Sequence, residues 1–195
     1  MRRRVVLTAA PWTVAAVILT GCGSQGRAAP TGSGSPQSDP RMGTVETFLA
    51  AERRPAPAVT GQLLDGSSFD LAGWRGQIVV INFWGSWCAP CRAEAPDLEK
   101  AFQATKGLGV RFLGVDVRDD RDAAKAFQKS FHLSYPSLYD PAGQVAVGFR
   151  DVSPNVVPST LLLDRQLRVA AVFRRRVTGR ELTAAVRALA GEQGS

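Results

Sequence analysis

Ile78-Val79-Val80-Ile81-Asn82-Phe83-Trp84 runs directly into Gly85-Ser86-Trp87-Cys88-Ala89-Pro90-Cys91, and this stretch decides the fold. The first seven residues lack the polar alternation of a half-exposed strand, which suits a central strand buried on both faces. Beyond Cys91, Leu98, Ala101 and Phe102 recur at helical spacing towards Lys106, and Gly107 and Gly109 then end the helix. Pro96 falls inside it, where a kink is expected. The cysteines therefore sit where a buried strand gives way to a helix. A sulfur at that point faces unpaired backbone N–H groups and the positive end of the helix dipole, both of which favour thiolate over thiol. Cys88 is the expected nucleophile. Two intervening residues let Cys91 close a small ring with it, and Pro90 suits the first turn because the N–H it lacks would go unpaired. Cys91 is the expected resolving thiol. Cys88 thiolate attacks a partner's disulfide, and Cys91 then attacks the mixed disulfide and releases the reduced partner.

The flanking sequence supplies the rest of a sheet. Val59 to Leu64 and Ser68 to Leu71, separated by Asp65-Gly66, read as an N-terminal β-hairpin. Val110 to Val117 reads as a second buried strand, and Asp119 or Asp120 caps a helix through Ala123, Ala126 and Phe127 to about Phe131. Strand, helix, strand, helix implies parallel pairing. Tyr139 to Gly143 reads as a turn and Gln144 to Phe149 as a short helix. Thr160 to Leu163 and Leu167 to Phe173 form an antiparallel hairpin around Asp164-Arg165-Gln166. Thr178 and Glu181 match a capping box for a final helix with Leu182, Val186 and Leu189 on its apolar stripe. The expected architecture is α/β, a mixed central sheet flanked by helices, over residues 56–195. Arg174-Arg175-Arg176 reads as a solvated strand end, with a lipid-binding patch as the alternative.

A chain of 195 residues holds one core of ordinary size, and 45% hydrophobic with 21% charged residues excludes collagen-like, fully disordered and polytopic membrane proteins. Arg2-Arg3-Arg4, an apolar stretch from Val5 to Leu19 and the small residues before Cys22 follow the plan of a signal peptide over residues 1–21. The apolar stretch falls short of the roughly 20 residues that span a bilayer comfortably, so cleavage is expected. Leu19-Thr20-Gly21-Cys22 resembles the bacterial lipobox, which implies diacylglyceryl transfer to Cys22 and anchoring to the cell membrane on its extracytoplasmic face. Residues 22–55 are rich in Gly, Ser, Pro and Ala and read as a flexible tether with a reach on the order of 30 Å. Within it Thr44 to Ala51 could form a short helix. Without the leader's three arginines the basic excess is 21 against 17 acidic residues, scattered rather than clustered, so no nucleic-acid partner is expected.

Other uses of a lone C-x-x-C compete with exchange. A zinc site needs about four ligands, yet beyond the pair only His132 and Cys22 remain. A structural disulfide closing so short a loop constrains the unfolded chain little. A copper relay through Cys88, Cys91 and His132 is the binding-module alternative. No metal and no other cofactor is expected.

Phe83 to Cys91, with Glu94 and Pro96, resembles the membrane-anchored thioredoxin-like proteins of the TlpA/ResA family, including the CcsX-type lipoproteins of cytochrome c maturation. The similarity extends to Val115-Asp116-Val117-Arg118-Asp119 and to Val157-Pro158-Ser159-Thr160. It implies a thioredoxin-like fold, an insertion ahead of the Pro158 strand, and a cis Val157-Pro158 bond that presents backbone to the incoming peptide. Trp87 and Val157 are the implied substrate-binding positions. Glu94, three residues after Cys91, is implied as an acid/base beside the thiols; the alternative is a solvated helix carboxylate. Asn82 stands where ordinary thioredoxins carry a buried aspartate. The family further implies a reductant of the C-x-x-C-H disulfide of apocytochrome c, or of another disulfide-bearing protein, fed by a transmembrane thiol donor of the CcdA/DsbD kind. A DsbE-like disulfide-forming oxidant of secreted proteins is the alternative. Peroxiredoxins share the fold, but their P-x-x-x-T-x-x-C pattern is absent here.

Overall fold

The computed structural model describes residues 43–149 and 156–192. The leader, Cys22 and most of the tether fall outside the described residues. The apolar run forms strand β4 (Ile78–Trp84), buried along its whole length. It pairs in parallel with β5 (Val110–Val117) on one side and antiparallel with β7 (Ser159–Leu163) on the other. β8 (Val169–Phe173) continues from β7, β6 (Ser137–Asp140) lies parallel beyond β5, and β1 (Val45–Thr47) closes the far edge. The order across the sheet is β1-β8-β7-β4-β5-β6. The hairpin β2 (Thr60–Gln62) and β3 (Ser68–Asp70) forms a separate two-stranded sheet, as expected.

Period-two alternation gives each strand two apolar faces. Val79, Ile81 and Phe83 meet Leu113, Val115, Leu161 and Leu163 on one face, under the hairpin and the short helix α3 (Gln144–Gly148). Ile78, Val80 and Trp84 turn to the other, against α1 (Ala89–Thr105), α2 (Arg121–Ser130) and α4 (Gly179–Gly191). α1 runs through Pro96, and Asp120 rather than Asp119 caps α2, accepting from Asp122 N and Ala123 N. The element β6–α3 is the insertion ahead of Pro158.

Three expectations need correction. Thr44 to Ala51 is not helical: Val45–Thr47 is an extended edge strand, with Val45 opposite Phe173 and Thr47 opposite Ala171. The folded part therefore starts before residue 56. Composition misled because an edge strand takes its hydrogen bonds from its neighbour and needs few apolar residues of its own. The turn expected from Tyr139 starts two residues later: Tyr139 and Asp140 close β6, and Pro141-Ala142 turns with Gly143 N donating to Asp140 O; only four residues long and bounded by Pro136 and Pro141, β6 carries little periodic signal. Arg174-Arg175-Arg176 is solvated only in part: Arg176 is exposed and Arg175 half-exposed, but all three guanidinium groups are held by acidic or hydroxyl partners. Arg174 is buried and reaches Thr44 and Glu46 (3.2 and 2.7 Å), Arg175 pairs with Glu181, and Arg176 with Asp97. Glu181 thus faces Arg175, and only the Thr178 half of the capping box forms.

Removal of residues 43–55 should therefore destabilise the domain, since it strips the edge of β8 and takes away Phe48, which packs on the core. The expected loss is on the order of 2 kcal/mol or more, read from urea unfolding midpoints. An unchanged midpoint would restore the tether boundary at Pro55.

Candidate active site

The site is built at the end of β4. Cys88 has extended backbone (φ −83°, ψ 106°) and is the N-cap of α1, with Pro90 in the first turn. Its Sγ takes the place of the capping oxygen, accepting from Cys91 N at 3.2 Å. The two sulfurs form a disulfide across a Cα–Cα distance of 5.2 Å. Both residues are shielded, Cys88 at 4% and Cys91 at 2% exposure, so exposure does not distinguish them. The cap does: Cys88 Sγ faces the unpaired amides at the helix start, where a thiolate gains most.

The loop before Cys88 is tied down from β5. Asp119 accepts from both Ser86 N and Ser86 Oγ, the latter at 2.9 Å. Trp84 lies beneath, stacked on Phe127 with ring centroids 4.3 Å apart, in one apolar cluster with both cysteines. Trp87 points outward at 50% exposure, with the Arg118 guanidinium 5.0 Å from its ring. That pose requires a glycine at 85: a Cβ there would stand 2.5 Å from Trp87 Nε1.

Val157 and Pro158 are joined by a cis peptide bond. Pro158 precedes Ser159, the partner of Phe83, so it lies level with Trp84 at the strand end from which the cysteine loop departs. Val157 packs against the apolar cluster that holds both cysteines.

Glu94 is fully buried (0% exposed), which excludes a solvated carboxylate. One turn from Cys91 on α1, it accepts from Val177 N at 2.7 Å and from Asn82 Nδ2 at 3.4 Å. Asn82 in turn donates to Thr160 Oγ1. Burial outweighs these two bonds and pushes the Glu94 carboxyl up to about 7. A carboxyl poised there can take or give a proton near neutrality.

His132 ends α2 in left-handed backbone (φ 51°) and lines an open groove with Leu64, Asp65, Lys125, Lys129 and Leu133. Among the described residues no three His, Cys, Asp or Glu side chains are grouped to hold a metal ion, and no helix is long and apolar enough to cross a membrane. Two roles are not visible from the sequence. Asp119 anchors the loop, and Asp116 is a fully buried carboxyl on β5 beside Trp84. An aspartate in an otherwise apolar buried strand was the signal for the second.

Residues 53–172 match the AhpC/TSA family. The chain belongs to that family. Its curated relatives include the thiol-disulfide oxidoreductase ResA of Bacillus subtilis, 32% identical over 63% of this chain and 66% of that protein. A second ResA, from Geobacillus thermodenitrificans, is 30% identical over 71% of this chain and 78% of its own. The chain thus spans just under two thirds of the Bacillus relative. Among solved structures, a DsbF homologue from Corynebacterium diphtheriae is 38% identical with a TM-score of 0.72, covering 78% of this chain and 97% of that one. A secreted thiol-disulfide isomerase from Corynebacterium glutamicum is 35% identical with a TM-score of 0.73, covering 80% and 96%. The thioredoxin-like fold is shared throughout, and the chain is ResA-like, similar to proteins named as thiol-disulfide oxidoreductases, with a Cys88–Cys91 disulfide of its own.

The raised Glu94 carboxyl predicts a signature in stability. The folded state keeps a proton that the unfolded chain releases near 4.5, so this contribution is complete below that pH and is lost as pH rises through about 7. Glu94→Gln keeps an acceptor for Val177 N and has nothing to titrate. Relative to the parent it should gain up to about 3 kcal/mol between pH 4.5 and pH 8. Urea unfolding across that range is the measurement, and parallel curves for the two proteins would refute the buried acid.

Proposed function

We propose that the chain is an extracytoplasmic, lipid-anchored reductant of protein disulfides, acting on the C-x-x-C-H disulfide of apocytochrome c. One observation carries the direction of electron flow: a buried carboxyl, Glu94, lies one turn from Cys91 on the same helix. The helix start favours Cys88 thiolate, but a carboxyl ionising near neutrality opposes thiolate by like-charge repulsion. Strong oxidants of this chemistry owe their potential to a stabilised reduced form. Where thiolate is opposed, the pair is better suited to give electrons than to take them. Cys88 then attacks the partner, Cys91 resolves the mixed disulfide, and Glu94 moves the proton. Trp87 and the backbone at Val157 hold the incoming peptide.

A dithiol spent in this way must be restored, which requires a transmembrane thiol donor of the CcdA/DsbD kind. The fold supports access to it. β4 runs towards the disulfide, and β7, β8 and β1 alternate in direction, so Gly43, donating to Arg174 O, enters at the disulfide end of the sheet. Three strand spacings, roughly 14 Å, separate that entry from β4. Twenty residues separate Gly43 from Cys22, so an anchor at Cys22 would join the domain on the disulfide side of the sheet.

The likeness to a DsbF homologue and a secreted isomerase favours a second reading, in which the disulfide is donated to folding proteins. Equilibration with glutathione separates the two. The expected potential lies below about −230 mV, and a value near −120 mV overturns the reductant assignment. With a C-x-x-C-H peptide disulfide as substrate, Cys88→Ser should abolish exchange, whereas Cys91→Ser should accumulate the mixed disulfide.

A further inference from the structure

We propose that Asp116 is a positioning residue of the redox site: as the neutral acid it donates a hydrogen bond to Asp119 and so fixes the loop Ser86-Trp87-Cys88. The inference rests on Cys88 being the exchanging thiol. Asp116 faces the helices from the last turn of β5, opposite Trp84 in register, and is 0% exposed. As a carboxylate, neither of its oxygens has a donor among the described residues. Two other unpartnered buried polar atoms, Trp84 Nε1 and Ser137 Oγ, crowd over Gly114, where a Cβ would stand 2.6 and 2.3 Å from them, and neither donates to Asp116. What Asp116 does have within hydrogen-bonding reach is another acceptor, the Asp119 carboxylate. A buried carboxyl whose protein neighbours offer one acceptor and no donor favours the protonated form, which alone can donate to that acceptor.

The consequence reaches the thiols through Asp119. That side chain accepts from Ser86 N, Ser86 Oγ and Asp120 N, and so joins the loop to the start of α2. The titratable or charged groups around Asp116 are Asp119, Arg121 at the start of α2, and Asp140 and Tyr139 on β6; the cysteines lie beyond Trp84, with which they share a cluster. Burial first, then the charges of Asp119 and Asp140, push the Asp116 carboxyl up to about 8, against the opposite pull of Arg121. Below that pH the Asp116–Asp119 bond holds. Above it two like charges face each other, the anchor loosens, and the added negative charge opposes Cys88 thiolate.

The test uses the reduced full chain. Alkylation of Cys88, located by peptide mass, is followed from pH 6 to pH 9 in the parent and in Asp116→Asn, whose amide donates to Asp119 at every pH. The ratio of variant to parent rate should rise by about fivefold or more over that range, the size of a thiol shift of about 0.7 units. A ratio independent of pH overturns the assignment. The Asp116 carboxyl carbon resonance in the parent is read independently of thiol reactivity. A chemical-shift change centred above pH 7 supports the proposal, and one below about pH 5 with ordinary carboxylates overturns it.

Discussion

A sulfur in place of the usual capping oxygen is what the rest of this structure accommodates. The first amides of any helix need acceptors, and Cys88 Sγ provides one for Cys91 N. Sulfur is a weak acceptor when neutral or in a disulfide and a strong one as thiolate. The start of α1 therefore holds a standing preference for the reduced, ionised state. Such a preference has effect only if the cap cannot drift, and every neighbouring element bears on that. β4 ends rigidly because it is the central strand, with partners on both sides. Trp84 and Phe127 fill the space beneath, and Asp119 holds Ser86 from the adjacent strand end.

Two buried carboxyls flank this cap on the same face of the sheet. Glu94 lies towards β7, tied to Val177 and through Asn82 to Thr160; Asp116 lies towards β6, beside Trp84. Both are pushed upward chiefly by burial, to about 7 and about 8. Their surroundings nevertheless differ. Glu94 accepts from two N–H donors, so the structure tolerates it in either protonation state and it can exchange its proton. Asp116 meets an acceptor and no donor among its protein neighbours, so its surroundings favour the acid. Burial alone thus gives the same direction of shift, while the hydrogen-bond partners assign one group to proton transfer and the other to architecture.

What could be read from the sequence follows the same division. β4 and β5 announce themselves because each is buried over seven residues, α1 because Leu98 and Ala101 recur at helical spacing on its buried face, and the cysteine pair is legible because its chemistry depends on local backbone that four residues specify. Glu94 was placed near the thiols by helical spacing, yet spacing could not say that it was buried, since that depends on Val177 and Thr160 arriving from the far end of the chain. β1 and the arginine trio were misread for one shared reason. Val45–Thr47 becomes a strand only because β8 offers an edge, and Arg174 is buried only because β1 then lies across it. Each is unremarkable in isolation and is defined by a contact some 130 residues away.

The balance at Cys88 then reduces to two opposed fields acting on one atom. Helix amides and dipole favour its negative charge, by up to about 2 kcal/mol where partly buried. A carboxylate nearby opposes that charge, by an amount that falls with its distance from the sulfur. Ionisation of a flanking acid therefore moves the balance away from Cys88 thiolate, and burial raises the pH at which Glu94 and Asp116 ionise. An ordinary solvent-exposed carboxylate, ionised at every physiological pH, would fix the balance once. Placing the acids out of water leaves the balance adjustable, and on the proposed reading it links electron transfer at the disulfide to proton transfer at Glu94, while Asp116 holds the loop in place.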